Sequence, residues 1–174
     1  MNNALKMNNL VLKNAIRFIG LLFLQVLVFS HLNIFGNINP MVYIVWVFLF
    51  PVRKNRSLFL LLSFLLGISI DFFLDSGGIN AFAITFIAYI RLPLLIAILR
   101  KSDFDYMQFN LRAISINKAF LFIAALTIMH HFIVFSLEYF NFNAILSIIY
   151  NTILTSIFTI LISTLGIVLF SKKK

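Results

Sequence analysis

Cysteine is absent from the 174-residue chain, which excludes disulfides, thiolate catalysis and cysteine metal sites. Acid is scarce as well, with five Asp and Glu against fourteen Lys and Arg. The resulting net charge of +9 would suggest nucleic acid in a soluble protein. Here the cations stand at the ends of apolar runs, where membrane topology and anionic headgroups account for them. No polar stretch is long enough for a separate catalytic or binding domain. No phosphate loop, nucleophile signature or paired metal motif is present. What is abundant is apolar surface: 62% of residues are hydrophobic and mean hydropathy is +1.05, outside the range of an ordinary soluble domain.

The basic residues alternate. Lys6, Lys13 and Arg17 precede or begin the first apolar run, and Arg53, Lys54 and Arg56 follow the second. Arg100, Lys101, Arg112 and Lys118 follow the fourth, and Lys172, Lys173 and Lys174 follow the sixth. The connectors at 31–39, 76–80 and 141–143 carry no Lys or Arg. Basic loops are retained on the cytoplasmic side. The pattern therefore predicts six membrane spans, at about 14–32, 40–52, 57–75, 80–99, 119–140 and 144–170, with both termini cytoplasmic. The fold class expected is an all-α, six-helix membrane bundle forming one polytopic domain over 1–174. The first run lacks a small-x-small cleavage site and is expected to be a retained helix rather than a signal peptide. The second run, bracketed by Pro40 and Pro51, is short and is expected to cross a locally thinned bilayer. The segment 102–117, mixing Asp103 and Asp105 with aromatic residues, is expected to lie along the cytoplasmic face.

Polar residues inside the runs are the candidates for function. The sixth run carries Ser147, Asn151, Thr155, Thr159 and Ser163 at a spacing of four, a face suited to close packing and hydrogen bonding in lipid. The third carries Ser63, Gly67, Asp71 and Asp75 at the same spacing. Asp75 precedes Ser76-Gly77-Gly78 and suits the water boundary, whereas Asp71 lies one turn deeper and needs a partner. Arg91 is the one cation inside a run. Helical side chains lean toward their N-terminus, so Asp71 and Arg91 lean toward each other across a backbone depth difference of about 10 Å. A buried pair fixing helix register is expected. Pro93 frees the Tyr89 carbonyl and should kink the fourth helix. Gln25, His130 and His131 fall near mid-depth. Adjacent histidines point about 100° apart, so interior hydrogen bonding is expected rather than metal ligation. No cofactor is expected. Asp71 and Asp75 with a histidine would be the nearest constellation for acid–base chemistry or a metal, but a structural role is the better reading.

The order of these residues resembles a known family, the rod shape-determining protein MreD, particularly its Bacteroidetes-like form. The resemblance is carried by Gln25, by Ile34-Phe35-Gly36 and Asn39-Pro40, and by Gly67-Ile68-Ser69-Ile70-Asp71. It continues through Gly78-Ile79-Asn80-Ala81-Phe82 and Ala88-Tyr89-Ile90-Arg91-Leu92-Pro93. It is densest over 23–93, and beyond Arg100 it rests on length and topology. Two departures from the family pattern are Met41 after Pro40 and Leu92 between Arg91 and Pro93. The resemblance implies a non-enzymatic inner-membrane subunit of the bacterial cell-elongation machinery. Members work with the bitopic protein MreC, alongside MreB, RodA and a class B penicillin-binding protein. The implied fold is similar to the substrate-binding component of energy-coupling-factor transporters, with a pocket open to the outside. Asp71, Gly78, Asn80 and Arg91 match family positions. Two other readings stand beside this one: a substrate-capture subunit with an outward pocket, and an intramembrane hydrolase using Asp71 and Asp75.

Overall fold

The computed structural model describes residues 2–34, 38–51, 55–100 and 114–170. Among the described residues the α-helices are α1 (Asn2–Leu27), α2 (Val45–Leu49), α3 (Arg56–Leu74), α4 (Ile79–Leu99), α5 (Ile116–Tyr139) and α6 (Ile145–Phe170). Five of them, all but α2, supply a stretch long and apolar enough to cross a membrane. The expected segment 102–117 and the clusters Arg53-Lys54 and 172–174 fall largely or wholly outside the described residues.

The packing is apolar outside as well as in. Phe72 is 84% exposed and Phe140 86%, and α1 shows Leu12, Ile16, Ile19, Phe23 and Leu27 on its outer face. Contiguous apolar patches of this extent are foreign to a soluble monomer and fit hydrocarbon. Helices α3 to α6 pack in chain order, each against the next. The turn from α3 to α4 is tight because Asp75, Gly77 and Gly78 all take positive φ (52°, 64° and 93°). Gly67 brings the two backbones together. A β-carbon there would stand 2.8 Å from both the Asn80 carbonyl oxygen and the Ala81 nitrogen.

The second apolar run departs from the expected helix over 40–52. Its helical part is a 3-10 turn, Val42–Ile44, followed by α2, Val45–Leu49. Eight residues of helix rise only about 12–14 Å, less than half a hydrocarbon core. The piece lies inside the bundle, with Val42, Tyr43, Ile44, Val45, Trp46, Val47 and Phe48 all buried. It ends at Phe50, whose extended backbone (φ −65°, ψ 135°) is what Pro51 requires of its predecessor. Its direction is fixed by α1. The Pro40 carbonyl accepts from Gln25 Nε2 (3.2 Å), and the Leu49 carbonyl accepts from Arg17 Nη1 (3.5 Å). Gln25 and Arg17 are about 12 Å apart along α1, so this segment runs antiparallel to it.

Candidate functional site

The polar side chains gather around the start of that buried segment. Asp71 sits on α3 facing the first turn of α4. Its Oδ1 accepts from Asn80 N (3.0 Å), Asn80 Nδ2 (2.9 Å) and Ser76 Oγ (2.5 Å), and its Oδ2 accepts from Ala81 N (2.8 Å). The remaining first-turn amides are also met: Ile79 N bonds the Ser76 carbonyl and Phe82 N bonds the Gly78 carbonyl. A helix start leaves four amides without intrahelical partners. Gly78, at the cap position, has no side chain to supply one, so the Asp71 carboxylate from the preceding helix does so. Negative charge at a helix N-terminus is also favoured by the helix dipole.

This arrangement corrects the expected pair. Asp71 and Arg91 do not bridge, because backbone amides at the near end of α4 take the carboxylate first. Arg91 lies eleven residues further along α4, about 16 Å away. There its guanidinium, in a residue only 3% exposed, donates from Nη2 to the Phe50 carbonyl (2.6 Å) and lies 5.2 Å from the Phe59 ring centre. A cation thus closes the carbonyl end of α2.

Pro93 lies inside α4. The Tyr89 carbonyl that it frees accepts from Arg56 Nη2 (2.6 Å), and the same guanidinium lies 4.5 Å over the Tyr89 ring. Three arginines, at 17, 56 and 91, therefore each answer a main-chain carbonyl.

From Asn80 the network runs to Tyr43 and His130. Tyr43 Oη donates to Asn80 Oδ1 (2.7 Å) and lies 2.8 Å from His130 Nε2. Donors and acceptors can be assigned around this chain. Asn80 Nδ2 is engaged by Asp71 and Ser76, so its Oδ1 takes the single tyrosine proton. His130 Nε2 must then carry a hydrogen and donate to Tyr43 Oη, which leaves Nδ1 as an acceptor without a partner among the described residues. His131 is held separately. Its Nδ1 lies 2.8 Å from the Thr127 carbonyl and its Nε2 lies 3.1 Å from Thr159 Oγ1, whose oxygen also accepts from Met41 N (3.1 Å). Gln25 closes the other side, donating to Pro40 and to Ser30 Oγ (3.3 Å) while its Oε1 accepts from Tyr43 N (3.4 Å). Both histidines are fully buried, interior and hydrogen-bonded, as their spacing suggested.

Tyr43 is the residue that sequence reasoning missed, along with Ser76 and Arg56. The available signal was a lone hydroxyl-bearing aromatic three residues after the proline that opens an apolar run. Replacing Tyr43 by Phe strands the Asn80 carbonyl oxygen and the His130 N–H in a dry interior. We expect a loss of about 1–3 kcal/mol, read as a lower unfolding midpoint in detergent.

The sixth-helix stripe is also redrawn. Thr155, Thr159 and Ser163 are buried, but Ser147 is exposed and Asn151 is half-buried, donating to Tyr139 Oη (2.8 Å). Steps of four overshoot the helical turn by about 40° each, so the row drifts off the inner face. Thr152 and Ser156 fill the inner face instead. Asp75, exposed in its left-handed turn, contributes no carboxylate to the Asp71 cluster. No family model, curated protein or solved structure matches the chain.

Proposed function

We propose that this chain is a non-enzymatic, multi-pass scaffold of the bacterial inner membrane, acting in cell elongation as an MreD-like subunit. In this reading it binds an MreC-like bitopic protein and, through it, serves MreB, RodA and a class B penicillin-binding protein. The observation that carries the reading concerns where the resemblance residues lie. Gln25, Pro40, Gly67, Asp71, Gly78, Asn80, Arg91 and Pro93 are the positions around which the buried contacts of the bundle are built. Among the described residues these positions join one element to another by close packing and hydrogen bonds, which supports a scaffold.

Six crossings with both termini cytoplasmic belong to the same proposal. The second crossing would be made by the buried segment from Pro40 to Pro51, which runs from the Gln25 level of α1 to the Arg17 level. The substrate-capture alternative finds less support. The two charges on which an outward site would depend, Asp71 and Arg91, are engaged with the backbone of α4 and of the α2 end. A hydrolase is disfavoured on the same ground, since Asp71 already accepts four hydrogen bonds and Asp75 lies exposed in the turn.

The test is affinity purification of the full chain from native membranes after mild solubilisation. Recovery of a bitopic, coiled-coil-bearing partner in constant ratio is the expected result. Repeated recovery of the chain alone would overturn the proposal.

A further inference from the structure

Helices α1 and α6 both pack on the buried segment between Pro40 and Pro51, and a groove of about 580 Å³ runs between them. Arg17, Leu21 and Leu24 line it from α1 and Gly166 from α6, with Val45 and Leu49 of the buried segment at its base. That volume is in the range of sites for small molecules. The walls open outward, since Leu24 is 42% and Leu165 61% exposed.

The bonds around the groove set its levels. Thr159 Oγ1 accepts from Met41 N and Gln25 donates to the Pro40 carbonyl, so Thr159 and Gln25 stand at one depth. From that depth Arg17 lies about 12 Å along α1 and Leu169 about 15 Å along α6, toward the same end of the bundle. Helix α6 ends one residue later, at Phe170, so Arg17 meets the groove at the edge of the apolar layer. Arg17 is exposed, and its Nη1 lies 3.5 Å from the Leu49 carbonyl, which is long for a hydrogen bond. The guanidinium therefore keeps further donors for a ligand. Lys13, also exposed, stands one turn before Arg17 on the same face of α1. No Asp or Glu occurs in the chain before Asp71 or after Glu138. The walls and base of the groove thus carry charge of one sign only.

We propose that this groove binds an anionic glycerophospholipid, with an acyl chain along Leu21, Leu24 and Gly166 and the headgroup on Arg17 and Lys13. Such a lipid supplies an apolar chain and, at its end, the negative charge that a basic site between helices attracts. A second copy of the chain would bring the same cations to the groove. A partner's helix would need an acid at this one level.

The full chain is reconstituted in phosphatidylcholine vesicles that contain a small fraction of phosphatidylglycerol, or of phosphatidylcholine, bearing a photoreactive diazirine on one acyl chain. After irradiation the adducts are mapped by peptide mass spectrometry. Groove labelling is taken relative to labelling around Phe72 and Phe82, which are exposed on α3 and α4. Phosphatidylglycerol is expected to label the groove about fivefold more than phosphatidylcholine, the effect of one basic residue near an anionic headgroup. Replacing Lys13 and Arg17 together by Gln should bring the ratio close to one, and Arg17→Lys should keep it. Gly166→Phe should strip groove labelling by both lipids, because a β-carbon at Gly166 meets nothing within 4 Å and the ring enters open space. Equal groove labelling by the two lipids overturns the proposal, as does a preference that survives the double Gln variant or Gly166→Phe. Absence of groove adducts with both lipids also overturns it, and would mean that protein fills the groove. No partner protein is present in the measurement, so its outcome is independent of the scaffold reading.

Discussion

Asp71→Asn should destabilise the bundle more than neutralising either of the other acids among the described residues, Asp75 and Glu138. The carboxylate accepts four hydrogen bonds, two of them from main-chain amides that open α4. An amide in its place keeps one acceptor oxygen and turns a donor toward donors. Either Ala81 N or the Asn80 and Ser76 groups then lose their partner in a buried setting. Stranded donors cost about 1–3 kcal/mol each, and a lost helix cap about 1 kcal/mol. Partial relaxation makes the total about 2–4 kcal/mol on that basis. Asp75→Asn is the matched control, since its side chain is exposed and asparagine tolerates the left-handed backbone at φ 52°. It should stay within about 0.5 kcal/mol of the parent. Unfolding midpoints of the three proteins in one detergent decide the matter. Equal loss in both variants would mean that the carboxylates act together, contrary to their separation here.

Gly67→Ala is the second large expectation, and Gly67→Leu a larger one. The added β-carbon meets backbone on α4, at 2.8 Å from the Asn80 oxygen and Ala81 nitrogen, so no side-chain rotation relieves it. Helix α3 or α4 must move, at a cost of about 1–3 kcal/mol for the first methyl. Movement there also lengthens the Asp71 bonds, because they reach the same two residues of α4. The Gly67→Ala, Asp71→Asn double variant should therefore lose less than the sum of its singles, as coupled neighbours do. Additive losses in the same melting assay would separate the close approach from the cap.

Much of this architecture was legible in composition and hydropathy, and the parts that were not share one cause. The five long helices follow from uninterrupted apolar runs, whose ends fall within a few residues of the observed ones except where α1 begins at Asn2 and α2 is cut short. The carbonyl freed by Pro93 was predictable because proline chemistry is local. The Asp71–Arg91 pair failed because side chains were matched only with side chains. The stronger claimants were backbone amides, which sequence does not display as charged letters. Arg91 shows the same effect in reverse, closing on the Phe50 carbonyl. The hub role of Tyr43 was hidden because its partners Asn80 and His130 are distant in sequence, and its own run contains no other hydroxyl, amide or charged side chain from Val42 to Phe50. In the sixth run, a spacing of four imitated one face over a few turns and then drifted from it.

The brevity of α2 bears on how the chain comes together in the membrane. Standing alone in lipid, this piece would expose the Leu49 and Phe50 carbonyls, whose donors are Arg17 on α1 and Arg91 on α4. Arg91 is synthesised some forty residues after Phe50. The Leu49 carbonyl can thus meet its donor as soon as the segment is made, whereas the Phe50 carbonyl can meet its own only once the helix that bears Arg91 stands beside it.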